Sequence, residues 1–154
     1  MTALLAGLAA DHRDRLLALG RDVAWADGAR IFEEGGPADR FWLVRSGLVA
    51  LDVHVPGRGT LVVETLGEGE LLGWSWLFEP YRWQLGAVAR GVVDAIEFDA
   101  AAVRAAMDDE PAFGLELLRL IGAGTIGPRL HAARTRLLDL YGGGQDTAGT
   151  GPAR

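Results

Sequence analysis

Residues 66–89, LGEGELLGWSWLFEPYRWQLGAVA, decide how this chain is read. Gly67, Gly69 and Gly73 let the backbone reach positive φ or approach another group closely, and Trp74, Trp76, Phe78, Tyr81 and Trp83 follow at once. An exposed turn running into a short helical turn is the natural reading, and such a turn holds an anion on its amides. The same glycines also serve to make tight turns and the same aromatics to fill a core. Spacing alone favours that second use.

Working upstream, short apolar runs alternate with turn signals. Val23–Trp25, Arg30–Phe32, Phe41–Ser46, Leu48–Val55 and Thr60–Leu66 read as strands, separated by Asp27-Gly28, Gly35-Gly36-Pro37, Ser46-Gly47 and Pro56-Gly57-Arg58-Gly59. Within and after the opening stretch, Leu71–Leu72, Gly86–Val88 and Val92–Phe98 continue the pattern. The spacing predicts an antiparallel jelly roll of about eight strands over residues 23–98. Residues 3–20 read as one helix, with Gly20 at its C′ position. Beyond Phe98, Asp99 caps a helix through Met107, and Asp108 or Asp109 caps a longer one opening near Pro111. Leu115, Leu118 and Ile121, then Leu130, Leu137, Leu138 and Tyr141, give that helix its apolar stripe, while Pro128 predicts a kink or break near residues 125–128. The expected fold is mainly β: a jelly roll with an N-terminal helix and a long C-terminal helix, one domain over residues 1–141. The glycine-rich segment 142–154 is too poor in apolar residues to fold and reads as a disordered tail.

Composition excludes several functions. All 15 basic residues are arginine, so a P-loop lysine and Schiff-base chemistry are ruled out. The chain has no cysteine, which removes thiolate metal sites and a thiol nucleophile. A net charge of −6 argues against a direct nucleic-acid footprint. No apolar run is long enough to span a bilayer, and the N-terminus lacks the basic start of a secretory signal, so a cytoplasmic location is expected. His12, His54 and His131 fall in separate elements without metal-ligand spacing in any pair, and no metal site is expected. Glu64, Glu68 and Glu70 read as a solvated acidic rim with no nucleophile beside them, so no catalytic residue is expected either.

Residues 28–49, GARIFEEGGPADRFWLVRSGLV, resemble the opening strands of cyclic-nucleotide-binding domains of the catabolite-activator and fumarate-nitrate-regulator superfamily, with turn glycines Gly35 and Gly47 in place. Residues 66–73, LGEGELLG, resemble the approach to that family's phosphate-binding cassette. The resemblance covers residues 1–141 and implies the jelly roll, a cyclic nucleotide as ligand, and pairing of the long helix with its symmetry mate. It also implies a glutamate after the cassette glycine to take the ribose hydroxyl, and an arginine some ten residues later to pair with the cyclic phosphate. This chain has Trp74 where the glutamate stands, and counting back from residues 87–89 puts Trp83, not Arg82, nearer the arginine position. On a strand, one residue of shift reverses the face.

The candidate cassette is therefore Gly73, Trp74, Ser75, Arg82, Trp83 and Gln84. Arg82 serves either as a phosphate clamp or as a surface cation stacked between Tyr81 and Trp83. The tryptophans either line a pocket for a planar ligand or plug a vacated one, and large aromatics more often fill volume than open it. Ser75 offers a hydroxyl to an anion or caps a turn. Relatives that regulate transcription usually carry a helix-turn-helix domain after the long helix, which this sequence does not show. The expected output therefore runs through a homodimer, seamed by Leu130, Leu137, Leu138 and Tyr141, or through another protein. The alternative expectation is a genuine sensor of cyclic AMP, cyclic GMP or another small ligand with a divergent cassette built on Arg82.

Overall fold

In the computed structural model, which describes residues 2–142 apart from the side chains at 136 and 139–142, the chain runs α1 (Ala3–Gly7), α2 (Ala10–Ala18), β1 (Gly20–Trp25), β2 (Arg30–Phe32), β3 (Arg40–Val55) and β4 (Gly59–Leu66). There follow β5 (Leu71–Leu72), a 3₁₀ turn (Ser75–Leu77), β6 (Gly86–Asp99), α3 (Ala100–Asp109), α4 (Pro111–Ile121), a π-helical turn (Gly122–Ile126) and α5 (Gly127–Gly142). The segment expected as a disordered tail lies, from residue 143 on, outside the described residues.

The sheet is antiparallel, in the order β1-β6-β3-β4, with β2 paired to β6 and β5 paired to β3. Its six strands differ from the expected eight because β3 and β6 each pass through a glycine without ending. Gly47 has φ 90° and Gly91 φ 75°, so the expected breaks are bends within continuous strands. At Gly47 no other residue fits, since a Cβ there would stand 2.3 Å from the Val92 carbonyl oxygen. The long β3–β6 ladder, from Arg40 opposite Asp99 to Asp52 opposite Gly86, is thereby rolled into the jelly roll.

Four consecutive residues of β3, Phe41 to Val44, are all buried, so both faces of the sheet are covered at this point. Alternate side chains feed two aromatic clusters. Phe41 stacks on Trp76 with centroids 4.0 Å apart and on Phe98 at 4.9 Å. Trp42 packs with Trp25 and Phe32, each at 5.7 Å, and donates its indole N–H to the buried Glu97.

The helices depart from the sequence reading where tertiary contacts decide. The single helix expected over residues 3–20 is two, because Leu8 is extended and buried while the Ala9 amide donates to the Glu116 carboxylate at 2.5 Å. Gly20 is not a helix cap but the first residue of β1, where a Cβ would stand 2.6 Å from Ile96. Asp99 does cap α3, accepting from the Ala102 amide at 2.8 Å. Neither Asp108 nor Asp109 caps α4; both end α3, and Pro111 opens α4 after Glu110, whose carboxylate is turned to other partners. The buried stripe of α4 is Phe113, Leu117 and Ile121, whereas Leu115 and Leu118 face solvent. Where a kink or break is expected near residues 125–128, the structure has a π-helical turn over Gly122–Ile126. The Gly127 amide donates to the Gly122 carbonyl, an i→i−5 bond that carries the chain through the π turn and into α5.

Candidate functional site

Strand β5 delivers Gly73, at φ 92°, to the mouth of the roll, and the 3₁₀ turn follows. Trp76 turns inward, donating its indole N–H to the Gly73 carbonyl at 3.0 Å while stacked on Phe41, so it anchors the turn to the core. Arg104 of α3 holds the turn from outside, donating to the Trp76 carbonyl at 2.8 Å and lying 4.2 Å over the Tyr81 ring. Trp74 is half-buried, edge-on to the exposed Phe78 at 6.3 Å.

Residues 81–83 return antiparallel to the loop before β3. The Tyr81 carbonyl accepts from the Ala38 amide, the Trp83 amide donates to the Gly36 carbonyl, and the Gly35 amide donates to the Trp83 carbonyl, at 2.7–2.9 Å. This pairing puts Arg82 and Trp83 on opposite faces. Arg82 faces out, exposed, with its guanidinium donating to the Gly35 carbonyl at 3.3 Å. Trp83 faces in, 5% exposed, and stacks on Phe32 at 4.0 Å. Its six-membered ring lies over Gly73 so closely that a Cβ on that glycine would stand 2.6 Å from it.

At the candidate cassette lies a cavity of about 60 Å³. Gly73, Trp74, Ser75, Trp83 and Gln84 line it; Arg82 does not. Small-molecule sites usually enclose about 300–1,000 Å³, and one water occupies about 30 Å³, so the space suits a water or two and not a nucleotide. Gln84 is exposed, its side-chain amide donating to the Arg82 carbonyl at 3.4 Å.

The cation that does line the cavity is Arg129, on the first turn of α5, which the sequence reading did not single out. It donates to the Leu71 carbonyl at 2.7 Å, and its Nε lies 3.7 Å from the Glu64 carboxylate. Burial pulls its pKa below the ordinary value, against the opposing charges of Glu64 and Glu70. On its other side lies a groove of about 470 Å³ between α1, β5 and the π turn, lined by Leu4, Glu70, Leu120 and Thr125 among others. No local signal marks Arg129, because its approach to β5 depends on how the π turn aims α5. The glutamates read as an acidic rim are not all solvated ornaments: Glu70 closes the turn of the opening stretch by accepting from the Gly67 amide at 2.6 Å.

On α5, Leu130, Leu137 and Leu138 are exposed, and the Tyr141 side chain lies outside the description. His12 sits between Glu110 and Glu116, a juxtaposition of α2 with α4 that pairwise histidine spacing misses. No described helix is long and apolar enough to cross a membrane.

An antiparallel jelly roll with a positive-φ glycine after β5 and helices flanking the sheet is the class of fold that this chain adopts. The sequence profile of the cyclic nucleotide-binding domain matches residues 23–110, and the chain belongs to that family. The CRP-like cAMP-activated global transcriptional regulator of Mycobacterium tuberculosis is 27% identical over 118 residues, which are 77% of this chain and 50% of that protein. The chain thus spans about half the length of the curated relative. Among solved structures, the catabolite activator protein of Thermus thermophilus is similar with a TM-score of 0.71 and 26% identity, covering 90% of this chain and 62% of that one. A cyclic nucleotide-binding domain from Methylobacillus flagellatus shares the fold with a TM-score of 0.77 at 18% identity, over 93% of this chain and 76% of that one.

Proposed function

We propose that this chain is a regulatory and interaction module whose cassette is closed by its own aromatic side chains, and that its output passes through α5 to a second copy of the chain or to another protein. The observation that carries the reading is Trp83, packed over Gly73 and stacked on Phe32 where a ligand would enter. An indole at Trp74 cannot accept the ribose hydrogen bonds that a glutamate would, and Arg82 points away from the cavity. The exposed Leu130, Leu137 and Leu138 supply an apolar seam for a helix of like kind, with Tyr141 extending it in sequence. Nothing in the binding geometry calls for catalytic chemistry.

A second reading, a sensor of cyclic AMP, cyclic GMP or another small anion, is favoured by one observation. Arg129 is a desolvated guanidinium on the cavity wall, whose nearest carboxylate lies beyond hydrogen-bond distance at 3.7 Å. In this reading Arg129 takes the part first assigned to Arg82, after Trp83 swings out. Titrating cyclic AMP and cyclic GMP into wild type, Arg82→Ala and Arg129→Met while following tryptophan fluorescence separates the two. A flat trace in all three supports the closed cassette. Saturable micromolar binding by wild type refutes it, and loss of that binding in one variant names the clamp.

A further inference from the structure

Away from the cassette, where α2 meets the α3–α4 junction, the fold gathers the polar side chains that a metal ion uses. His12 is 9% exposed, and both of its ring nitrogens face carboxylates: Nε2 lies 3.2 Å from a Glu110 oxygen and Nδ1 3.0 Å from a Glu116 oxygen. Asp11 completes the set, with one donor atom each of Asp11, His12 and Glu110 lying within 4.8 Å of one another. We propose that Asp11, His12 and Glu110 bind a divalent metal ion of the zinc class, with Glu116 orienting the imidazole.

Geometry supports the assignment. Metal–ligand bonds of about 2.0–2.2 Å at tetrahedral angles put neighbouring donor atoms about 3.3–3.6 Å apart. The His12–Glu110 separation is already close to that range, and Asp11, on the exposed side, closes the third corner by side-chain rotation. Water fills the fourth. A ligating histidine characteristically donates its other ring N–H to a carboxylate, which fixes the tautomer and raises the basicity of the ligating nitrogen. Glu116 stands in that place, and its other oxygen is held by the Ala9 amide at 2.5 Å. Glu110 is held likewise, since its second oxygen accepts from Arg15 at 2.6 Å and leaves the first turned to His12.

Charge and donor type choose the ion. Arg15 pairs with Asp109 and Glu110, while Asp11, Glu110 and Glu116 lie against His12, so the carboxylates gathered around the imidazole supply negative charge that a dication offsets. One imidazole with two carboxylates suits zinc or manganese better than magnesium or calcium, which prefer all-oxygen shells. The bound ion would tie α2 to the start of α4, the helix that leads through the π turn into α5.

The test uses the purified full chain, stripped with a chelator, and titrates zinc chloride by calorimetry at pH 7. Saturable binding of one ion is expected, together with a melting temperature that rises with zinc concentration and does not respond to magnesium. Glu116→Gln should weaken binding by about 10–100-fold. Asp11→Asn should weaken it about tenfold or more, and His12→Gln should abolish it. Circular dichroism reports whether each variant folds, and Asp11, being exposed, gives a variant that keeps the test valid if His12→Gln does not. No saturable binding up to about 1 mM zinc, corresponding to an affinity weaker than about 4 kcal/mol, overturns the proposal. So does wild-type affinity in Asp11→Asn and Glu116→Gln, which would assign any bound zinc to adventitious surface groups.

Discussion

Replacing Trp83 by alanine separates a closed cassette from an empty one. To admit a ligand in the wild type, the indole must leave its site against Phe32 and Gly73. Exposing a large apolar side chain costs about 1.5–3 kcal/mol, and breaking an aromatic pair costs about 0.5–1.5 kcal/mol more. The sum, about 2–4.5 kcal/mol, means that the open form is roughly 30–2,000-fold rarer than the closed one, and apparent affinity falls by the same factor. Trp83→Ala removes that penalty at a cost in stability of about 3–5 kcal/mol, the usual range for truncating a buried tryptophan. On the closed-cassette proposal, cyclic AMP should therefore bind the variant roughly 30–2,000-fold more tightly than it binds wild type. Calorimetry at millimolar nucleotide reads the difference, and urea melts establish that the variant is folded at the assay temperature. Equal responses from the two proteins, including no response from either, would refute the steric account, and micromolar binding by wild type would refute it outright.

Gly47→Ala should destabilise the roll strongly, because positive φ alone costs a residue with a Cβ about 1–3 kcal/mol and here the Cβ also meets the Val92 carbonyl; chemical denaturation measures it, and a loss under about 1 kcal/mol would contradict the crossing geometry. Leu137→Glu should leave the fold intact, since the side chain is exposed in the single chain, but convert a dimer to monomer in light scattering by burying an unpaired charge in the seam; a wild type that is already monomeric at micromolar concentration would end the dimer proposal. Burial alone pushes the Glu97 carboxyl up, but hydrogen bonds from Trp42 and Arg21 and the charges of Arg40 and Arg21 outweigh it and hold it below the ordinary 4.5. A depressed carboxyl contributes stability above its unfolded value and loses it as pH falls through the folded value, so wild type should weaken with acid below about pH 5 and Glu97→Gln should show a shallower slope there; identical slopes would contradict it.

The roll was legible in the sequence because its punctuation is local. Gly28, Gly35, Gly57 and Gly69 adopt positive φ, and a Cβ on any of them would meet nothing within 4 Å, so what constrains them is the backbone of the turn itself. The capping of α3 by Asp99 is likewise set by near neighbours. The opposite faces of Arg82 and Trp83 follow from strand parity alone. Tertiary structure decided where distant surfaces meet. Whether Trp83 lines the cassette or fills it depends on Phe32 and Gly73 closing on the indole from two other elements. The phase of α4 was misread because Leu115 and Leu118 are as apolar as Leu117, and only the packing of the roll selects which of them is buried. Arg129 reaches β5, and His12 reaches Glu110 and Glu116, across about a hundred or fewer intervening residues that carry no trace of the meeting, because side-chain contacts of this kind are fixed by the relative placement of whole helices and not by any residue's immediate neighbours.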